Sequence, residues 1–95
     1  MSRITVVKPD GLIIVDGEGY NGIDLSFLDA NIHAIQWYHT YGEVERKDER
    51  GRHLPNEEID SFTAYETPVM AAWNAKKAET EAATLASLAN NEERP

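Results

Sequence analysis

The sequence predicts a small α+β domain, in which a mainly antiparallel β-sheet of four to five short strands precedes one long C-terminal α-helix. Residues 4–46 contain short β-branched or alternating apolar runs separated by glycine-rich and charged turns, as is typical of hairpin-connected strands. From residue 67 to about residue 90 nearly every residue is a good helix former. The expected organisation is a sheet domain over 1–66, a helix over 67–90 and a disordered tail over 91–95.

The first strands are predicted at residues 4–7 and 12–15, because both runs are rich in β-branched residues and a Lys-Pro-Asp-Gly turn separates them. The following segment, 16–22, contains three glycines and is predicted to be a loop. In residues 23–28 apolar and polar side chains alternate, which predicts a further half-buried strand.

Residues 32–38 are predicted to form a central strand that pairs with residues 43–46 after a turn ending at Gly42. Alternation along this strand places Ile35 and Trp37 on one face and the polar side chains between them on the other. The first face is expected to build the core.

The C-terminal helix is predicted to begin with Thr67 as its N-cap and Pro68 as its first residue, where the missing N–H costs nothing. Val69, Ala72 and Trp73 share one side of the helix and are expected to pack on the sheet. A helix of about 23 residues would be about 35 Å long at 1.5 Å per residue, so its far end should project beyond the domain.

The 95-residue chain carries a formal net charge of −8. This charge argues against a nucleic-acid phosphate backbone or an anionic membrane as the partner, because both would repel it. The chain has no cysteine, so it can form neither a disulfide nor a thiolate metal site. No run is long enough for a membrane span and no secretory signal is visible, which predicts a soluble cytoplasmic protein.

No enzymatic chemistry is expected from the motifs. The spacings of His33, His39 and His53 do not form a compact ligand pattern, so we expect no metal and no cofactor. Glutamate pairs such as Glu57 and Glu58 are commonly a solvated acidic edge rather than an acid/base pair. Neither a phosphate-binding loop nor a Ser/His/Asp arrangement can be assembled, and we therefore expect a protein that is not an enzyme.

Aromatic side chains suggest a protein-binding surface. Tyr20, Tyr38 and Tyr41 are expected to remain at the surface, bordered by Glu43 and Glu45. Exposed aromatic rings with a charged rim have the composition of protein-interface anchors. The alternative is that these rings only cover the second face of the sheet against the helix.

The second half of the helix offers another candidate surface. Ala78, Ala82 and Leu85 belong to a stripe with spacings of three and four residues, a heptad-like seam of mostly small side chains. The seam would allow close contact with a partner helix or with a second copy of the chain, giving a homo-oligomer. The alternative is a solvated, partly frayed helix that is favoured by propensity alone.

One set of segments comprises residues 24–26, 32–45 and 55–59 with Ala72 and Trp73, and its most distinctive parts are His-Ala-Ile-Gln-Trp-Tyr and Gly-Glu-Val-Glu. Together these segments resemble small proteins encoded beside the tail and tail-fibre genes of tailed bacteriophages, and the resemblance spans roughly residues 20–75. It implies a non-enzymatic chaperone or adaptor that binds a tail-fibre or tail polypeptide during virion assembly, in the host cytoplasm or in the virion.

Two other functions stay open from the sequence. The acidic character would also suit an anti-defence inhibitor that occludes a host nucleic-acid-binding complex. A minor structural component of the virion tail is the other. Neither the resemblance nor the composition identifies the partner or the stoichiometry.

Overall fold

The computed structural model describes residues 3–92, with side chains through Ala86. It confirms the α+β class: one antiparallel sheet precedes a single C-terminal helix, with six strands in place of the expected four to five. The order across the sheet is β3-β2-β1-β4-β5-β6. The elements are β1 Arg3–Val7, β2 Leu12–Val15, β3 Glu18–Tyr20, β4 Ile32–Tyr38, β5 Gly42–Arg46, β6 Glu57–Ile59 and α1 Thr63–Glu92.

The first predicted hairpin is confirmed, since β1 and β2 pair antiparallel from Ile4 opposite Val15 to Val7 opposite Leu12. The loop predicted over 16–22 is only partly correct. Its first two residues make a tight turn, after which β3 returns along β2 with Tyr20 opposite Ile13. The short third strand was hidden by the glycines around it.

The strand predicted at residues 23–28 is wrong, because these residues form turns on the surface of the core. The Asp24 side chain accepts the Ser26 N–H at 3.0 Å, and this hydrogen bond lowers the pKa of the carboxyl. The Leu28 N–H then donates to the Leu25 carbonyl at 3.1 Å. Both leucines are buried, whereas Phe27, which strand alternation would bury, is 44% exposed. Side-chain bonding to the local backbone therefore prevails over the period-two pattern.

The predicted pairing of β4 with β5 is confirmed, with Ile35 opposite Val44 and both side chains fully buried. The register shifts between Ile32 and Ala34, as in a β-bulge. At the bulge β4 has one more residue than β5, and the side-chain alternation shifts by one. Ile32 and Ile35 can therefore both reach the core although they are three residues apart.

The core lies on one face of the sheet, as predicted for Ile35 and Trp37. Trp37 from the sheet and Trp73 from the helix are 3% and 8% exposed, respectively, and belong to one apolar cluster. Phe62 stacks on Trp37 with a centroid distance of 5.7 Å, and Val69 is fully buried nearby in the helix layer. Leu25 and Leu28 close the rest of this face; the other core residues are Ile4, Val6, Ile13, Val15, Ile32 and Val44.

The predicted helix start at Thr67 and Pro68 is wrong, because α1 begins at Thr63 and Pro68 lies inside it. The Ser61 hydroxyl accepts the Thr63 N–H at 3.2 Å, and the Phe62 carbonyl accepts the N–H groups of Tyr65 and Glu66. These local caps, with the buried Phe62 ring as anchor, start the helix one turn earlier. Proline removes only one helical hydrogen bond here, which tertiary packing can offset.

The helix reaches Glu92, and residues 93–95 of the tail expected over 91–95 lie outside the described residues. Lys76 and Lys77 are half-buried against the domain, and residues 78–86 are all exposed. The molecule measures 59 × 32 × 18 Å, which reflects this projecting half of the helix. Among the described residues, no helix combines the length and apolar character that a membrane span requires.

We expect Trp73→Ala to lower the free energy of unfolding by about 3–5 kcal/mol, because it removes the largest helix side chain from the core. Leu85→Ala on the same helix is the control; Leu85 is 66% exposed and should change stability by no more than about 0.5 kcal/mol. Urea unfolding followed by circular dichroism measures both. Equal midpoints for the two variants would contradict the placement of Trp73.

Gly42 begins β5 beneath Trp37, where a Cβ atom would lie 2.3 Å from the Gln36 carbonyl oxygen and 2.9 Å from Trp37 Cε3. We expect Gly42→Ala to destabilise the fold by about 1–3 kcal/mol through overpacking. Thr40→Ala, at the exposed tip of the same hairpin, should be nearly neutral. Thermal unfolding compares them, and a Gly42→Ala protein as stable as the wild type would argue against this close approach.

Candidate protein-binding surface

The face of the sheet opposite α1 has no helix over it in the part of the chain that the structure describes. We call it the open face. Pleating and register assign to it the residues that alternate with the core side chains. They are Arg3, Thr5, Val7, Leu12, Ile14, Ala34, Gln36, Tyr38, Glu43, Glu45 and Glu58.

An aliphatic strip lies at the β1–β2 side of the open face. Val7 is paired with Leu12, and all three members of the strip, Val7, Leu12 and Ile14, are partly exposed. Gly19 lies opposite Ile14, and a Cβ atom there would come within 3.0 Å of Ile14 Cγ1. The absence of a side chain at Gly19 therefore leaves the strip open toward the sheet edge.

The β5–β6 side of the same face is acidic. Glu43 lies directly opposite Glu58, and Glu45 is next to Glu43 on the same side of β5. Like charges facing each other across a strand pair are unfavourable. Among residues 3–86, the ion pairs that form do not include these three carboxylates. Asn56 donates a long hydrogen bond of 3.4 Å to Glu43, so an uncompensated negative potential remains at this side.

A third part of the open face, at the hairpin between β4 and β5, carries two tyrosines. The rings of Tyr38 and Tyr41 are 5.2 Å apart, and the Arg3 guanidinium lies 5.4 Å from the centre of the Tyr38 ring. Tyr41 is 58% exposed. A cavity of about 440 Å³ next to this part of the face is lined by Tyr41, Gly42, Glu43, Glu58, Ile59 and Asp60.

The structure thus brings together four of the residues predicted to bind a partner: Tyr38, Tyr41, Glu43 and Glu45. Tyr20 lies elsewhere, on the core side of β3, where its ring packs on Trp73 with a centroid distance of 5.7 Å. Its hydroxyl donates to Glu18, whose backbone carbonyl accepts the Trp73 indole N–H at 3.0 Å. Tyr20 therefore contributes to the contact between β3 and the helix on the core face, and its role in partner binding stays a prediction.

The remaining predicted site residues, Ala78, Ala82 and Leu85, lie on the projecting half of α1. All three are exposed, and they are separate from the open face. The chain therefore offers two distinct candidate surfaces.

Sequence reasoning missed the aliphatic strip, although a signal was present. Strands buried on one face alternate apolar with polar residues, whereas β2 reads Leu-Ile-Ile-Val without a polar residue. Such a strand either is covered on both faces or leaves an apolar face exposed. In this fold the second outcome applies.

Sequence spacing also gave no sign that His33 and His53 meet, with ring centroids 5.8 Å apart. They come together because the chain turns back after β5, where the backbones of Lys47 and His53 form an isolated antiparallel β-bridge. A cavity of about 590 Å³ lies beside His33 and includes Lys8 and Lys47 in its lining. The described residues contain no group of three or more side chains placed to hold a metal ion.

Comparisons of the chain with protein-family models, with curated proteins and with solved structures gave no match. The candidate binding surfaces are therefore defined by the arrangement of residues on the open face and on α1 alone.

The hydrogen bond to Glu18 and the nearby negative charge raise the pKa of Tyr20 to about 12. The neutral Tyr20 hydroxyl, bound to Glu18, therefore stabilises the folded state. Because the pKa is raised on folding, this stabilisation is fully present below the ordinary tyrosine pKa of about 10 and is lost as the pH rises through the folded-state pKa. We expect Glu18→Gln to lower the Tyr20 pKa in an absorbance titration at tyrosinate wavelengths. Glu43→Gln is the matched control, and an identical titration for both variants would contradict the assignment.

Proposed function

We propose that this protein is a non-enzymatic binding protein that holds a segment of a protein partner on its open face. The observation that carries the proposal is the one-sided covering of the sheet. The helix packs on the core face, while the opposite face presents Val7, Leu12 and Ile14 together with the half-buried Tyr38 and the exposed Tyr41. Apolar surface bordered by charge is typical of interaction sites.

The chemistry of the face is suited to recognition. Tyr38 and Tyr41 form a large amphipathic contact area, and each ring loses little conformational entropy on binding. Glu43 and Glu45 are partly exposed and flank the apolar and aromatic groups, as a polar rim does around an interface core. These features support a protein as the partner rather than a small substrate.

The partner that we propose is a tail-fibre or tail polypeptide of a tailed bacteriophage, because the sequence resemblance implies that neighbourhood. The protein would act as an assembly chaperone or adaptor in the host cytoplasm, or remain as a minor component of the virion tail. The negative charge of the open face argues against bare nucleic acid or an anionic membrane as its target.

A second candidate, an inhibitor of a host nucleic-acid-binding complex, has support from one structural feature. Three glutamates, Glu43, Glu45 and Glu58, lie on the open face of the neighbouring strands β5 and β6. Such a row of carboxylates could compete with phosphates for a basic channel.

Co-expression with the tail-fibre polypeptide, followed by affinity capture, tests the main proposal. We expect the Tyr38→Ala, Tyr41→Ala double variant to reduce capture by about tenfold or more, since buried interface aromatics commonly contribute 2 kcal/mol or more each, at about 1.4 kcal/mol per tenfold. The control is Phe27→Ala, which removes an exposed ring from the loop before β4. Equal capture by both variants would exclude the open face.

A variant of the projecting helix separates the two candidate surfaces. If Ala78→Glu with Ala82→Glu abolishes capture and the tyrosine variant does not, the binding site lies on α1. Light scattering of the same helix variant reports whether this seam joins copies of the chain.

Two further measurements distinguish the forms of the proposal. An assembly chaperone is absent from purified virions by mass spectrometry, whereas a structural component is present. If this protein instead reduces DNA binding by a host defence complex and does not bind the fibre, the inhibitor is supported.

A further inference from the structure

The open face changes its chemistry in one direction across the strands. One row of cross-strand neighbours runs from Ile14 through Thr5 and Gln36 to Glu43 and Glu58. A parallel row runs from Leu12 through Val7 and Ala34 to Glu45. Both rows are aliphatic over β2, small or neutral in the middle and acidic over β5.

We propose that the occupant of the open face is an amphipathic helix of the partner that lies across the strands, with aliphatic side chains at one end and Lys or Arg at the other. This inference rests on the proposed function, and it adds the chemistry and spacing of the bound segment. Its aliphatic end covers Leu12 and Ile14, and its basic end neutralises Glu43 and Glu45.

The sheet geometry sets the spacing within that helix. Three inter-strand steps separate β2 from β5, which is about 14 Å at about 4.8 Å per step. On a helix that rises 1.5 Å per residue, this distance corresponds to about nine or ten residues. The basic residues of the bound helix therefore follow or precede its aliphatic residues by two to three turns.

A helix fits this surface better than an extended segment does. A chain crossing the strands at a steep angle cannot pair with the sheet, so an extended segment would leave backbone polar groups unsatisfied on the aliphatic strip. A helix satisfies these groups internally. Addition of a strand at the β6 edge is also disfavoured, because that strand is only three residues long and carries Glu57 and Glu58.

A second copy of this chain does not supply the required chemistry. Its open face would bring three more carboxylates, from Glu43, Glu45 and Glu58, against a single strand cation, Arg3. The exposed part of its helix carries Glu79 and Glu81 and would repel the acidic strip. The occupant is therefore a different, cationic polypeptide.

Fluorescently labelled helical peptides of about 18 residues test the inference. The first probe carries leucines on one face of its first two turns and lysines on the same face two to three turns later. A second has glutamate in place of lysine, and a third has the composition of the first with leucine and lysine intermixed along the face. Only the first should bind with its full affinity, as measured by fluorescence anisotropy.

Matched protein variants locate the bound peptide. We expect Glu43→Gln with Glu45→Gln to weaken binding of the first probe about three- to tenfold, since exposed charge pairs contribute up to about 1 kcal/mol each and 1.4 kcal/mol is tenfold. The control, Glu79→Gln with Glu81→Gln, changes the net charge equally on the projecting helix and should leave binding unchanged. Leu12→Ser with Ile14→Ser should also weaken binding, with folding verified by circular dichroism.

Equal weakening by the two charge variants, or equal binding of the ordered and intermixed probes, would overturn the inference, because nonspecific attraction would then be sufficient. A wild-type dimer that Leu12→Ser with Ile14→Ser dissociates in light scattering would overturn it in favour of a second copy. If the peptides bind as expected but the wild-type protein does not capture the fibre polypeptide, the proposed partner is rejected and the inferred helix chemistry is not. Fibre capture without the spacing dependence would reject only the charge arrangement.

Discussion

The fold depends on packing one helix against one face of the sheet. Val69 and Trp73 are the side chains through which α1 enters the core, and the Trp73 indole N–H is fixed by the Glu18 carbonyl at 3.0 Å. A helix is about 10 Å wide, whereas six strands span about 24 Å. One helix therefore cannot cover the whole face, and Phe62 and the buried leucines of the preceding loop close the remainder.

One-sided packing also explains the character of the opposite face. Because the single helix packs on the core face, β1, β2 and β4 are covered on one side only, although β2 has apolar residues on both sides. Natural sheets commonly place polar residues on an uncovered face, as β5 does with Glu43 and Glu45. The contrast between the two halves of the open face gives the face a direction, and that direction is the basis for the partner geometry that we propose.

Much of the fold could be predicted from the sequence because the decisive signals were local. The turn between β1 and β2, the pairing of β4 with β5 and the burial of Trp37 and Trp73 all follow from residue periodicity and turn residues. The errors arose where a local hydrogen bond competed with periodicity. The hydrogen bond of the Asp24 side chain stabilises a loop where a strand was predicted. The hydrogen bonds of Ser61 and Phe62 cap the helix, which therefore begins before Pro68.

The candidate site was predicted in part, for a different reason. Strand alternation was enough to place Tyr38 and Glu43 on the face opposite the core, and it could not reveal that Leu12 and Ile14 share that face. The sequence by itself determined the α+β class, the long alanine-rich helix and the acidic charge, because these depend on composition and short-range pattern. Only the tertiary structure decided that β1 lies beside β4 and that β3 and β6 form the two edges, that Tyr20 supports the helix and that one sheet face stays open. Strand order and layer contacts join residues far apart in the chain, and no local pattern records them.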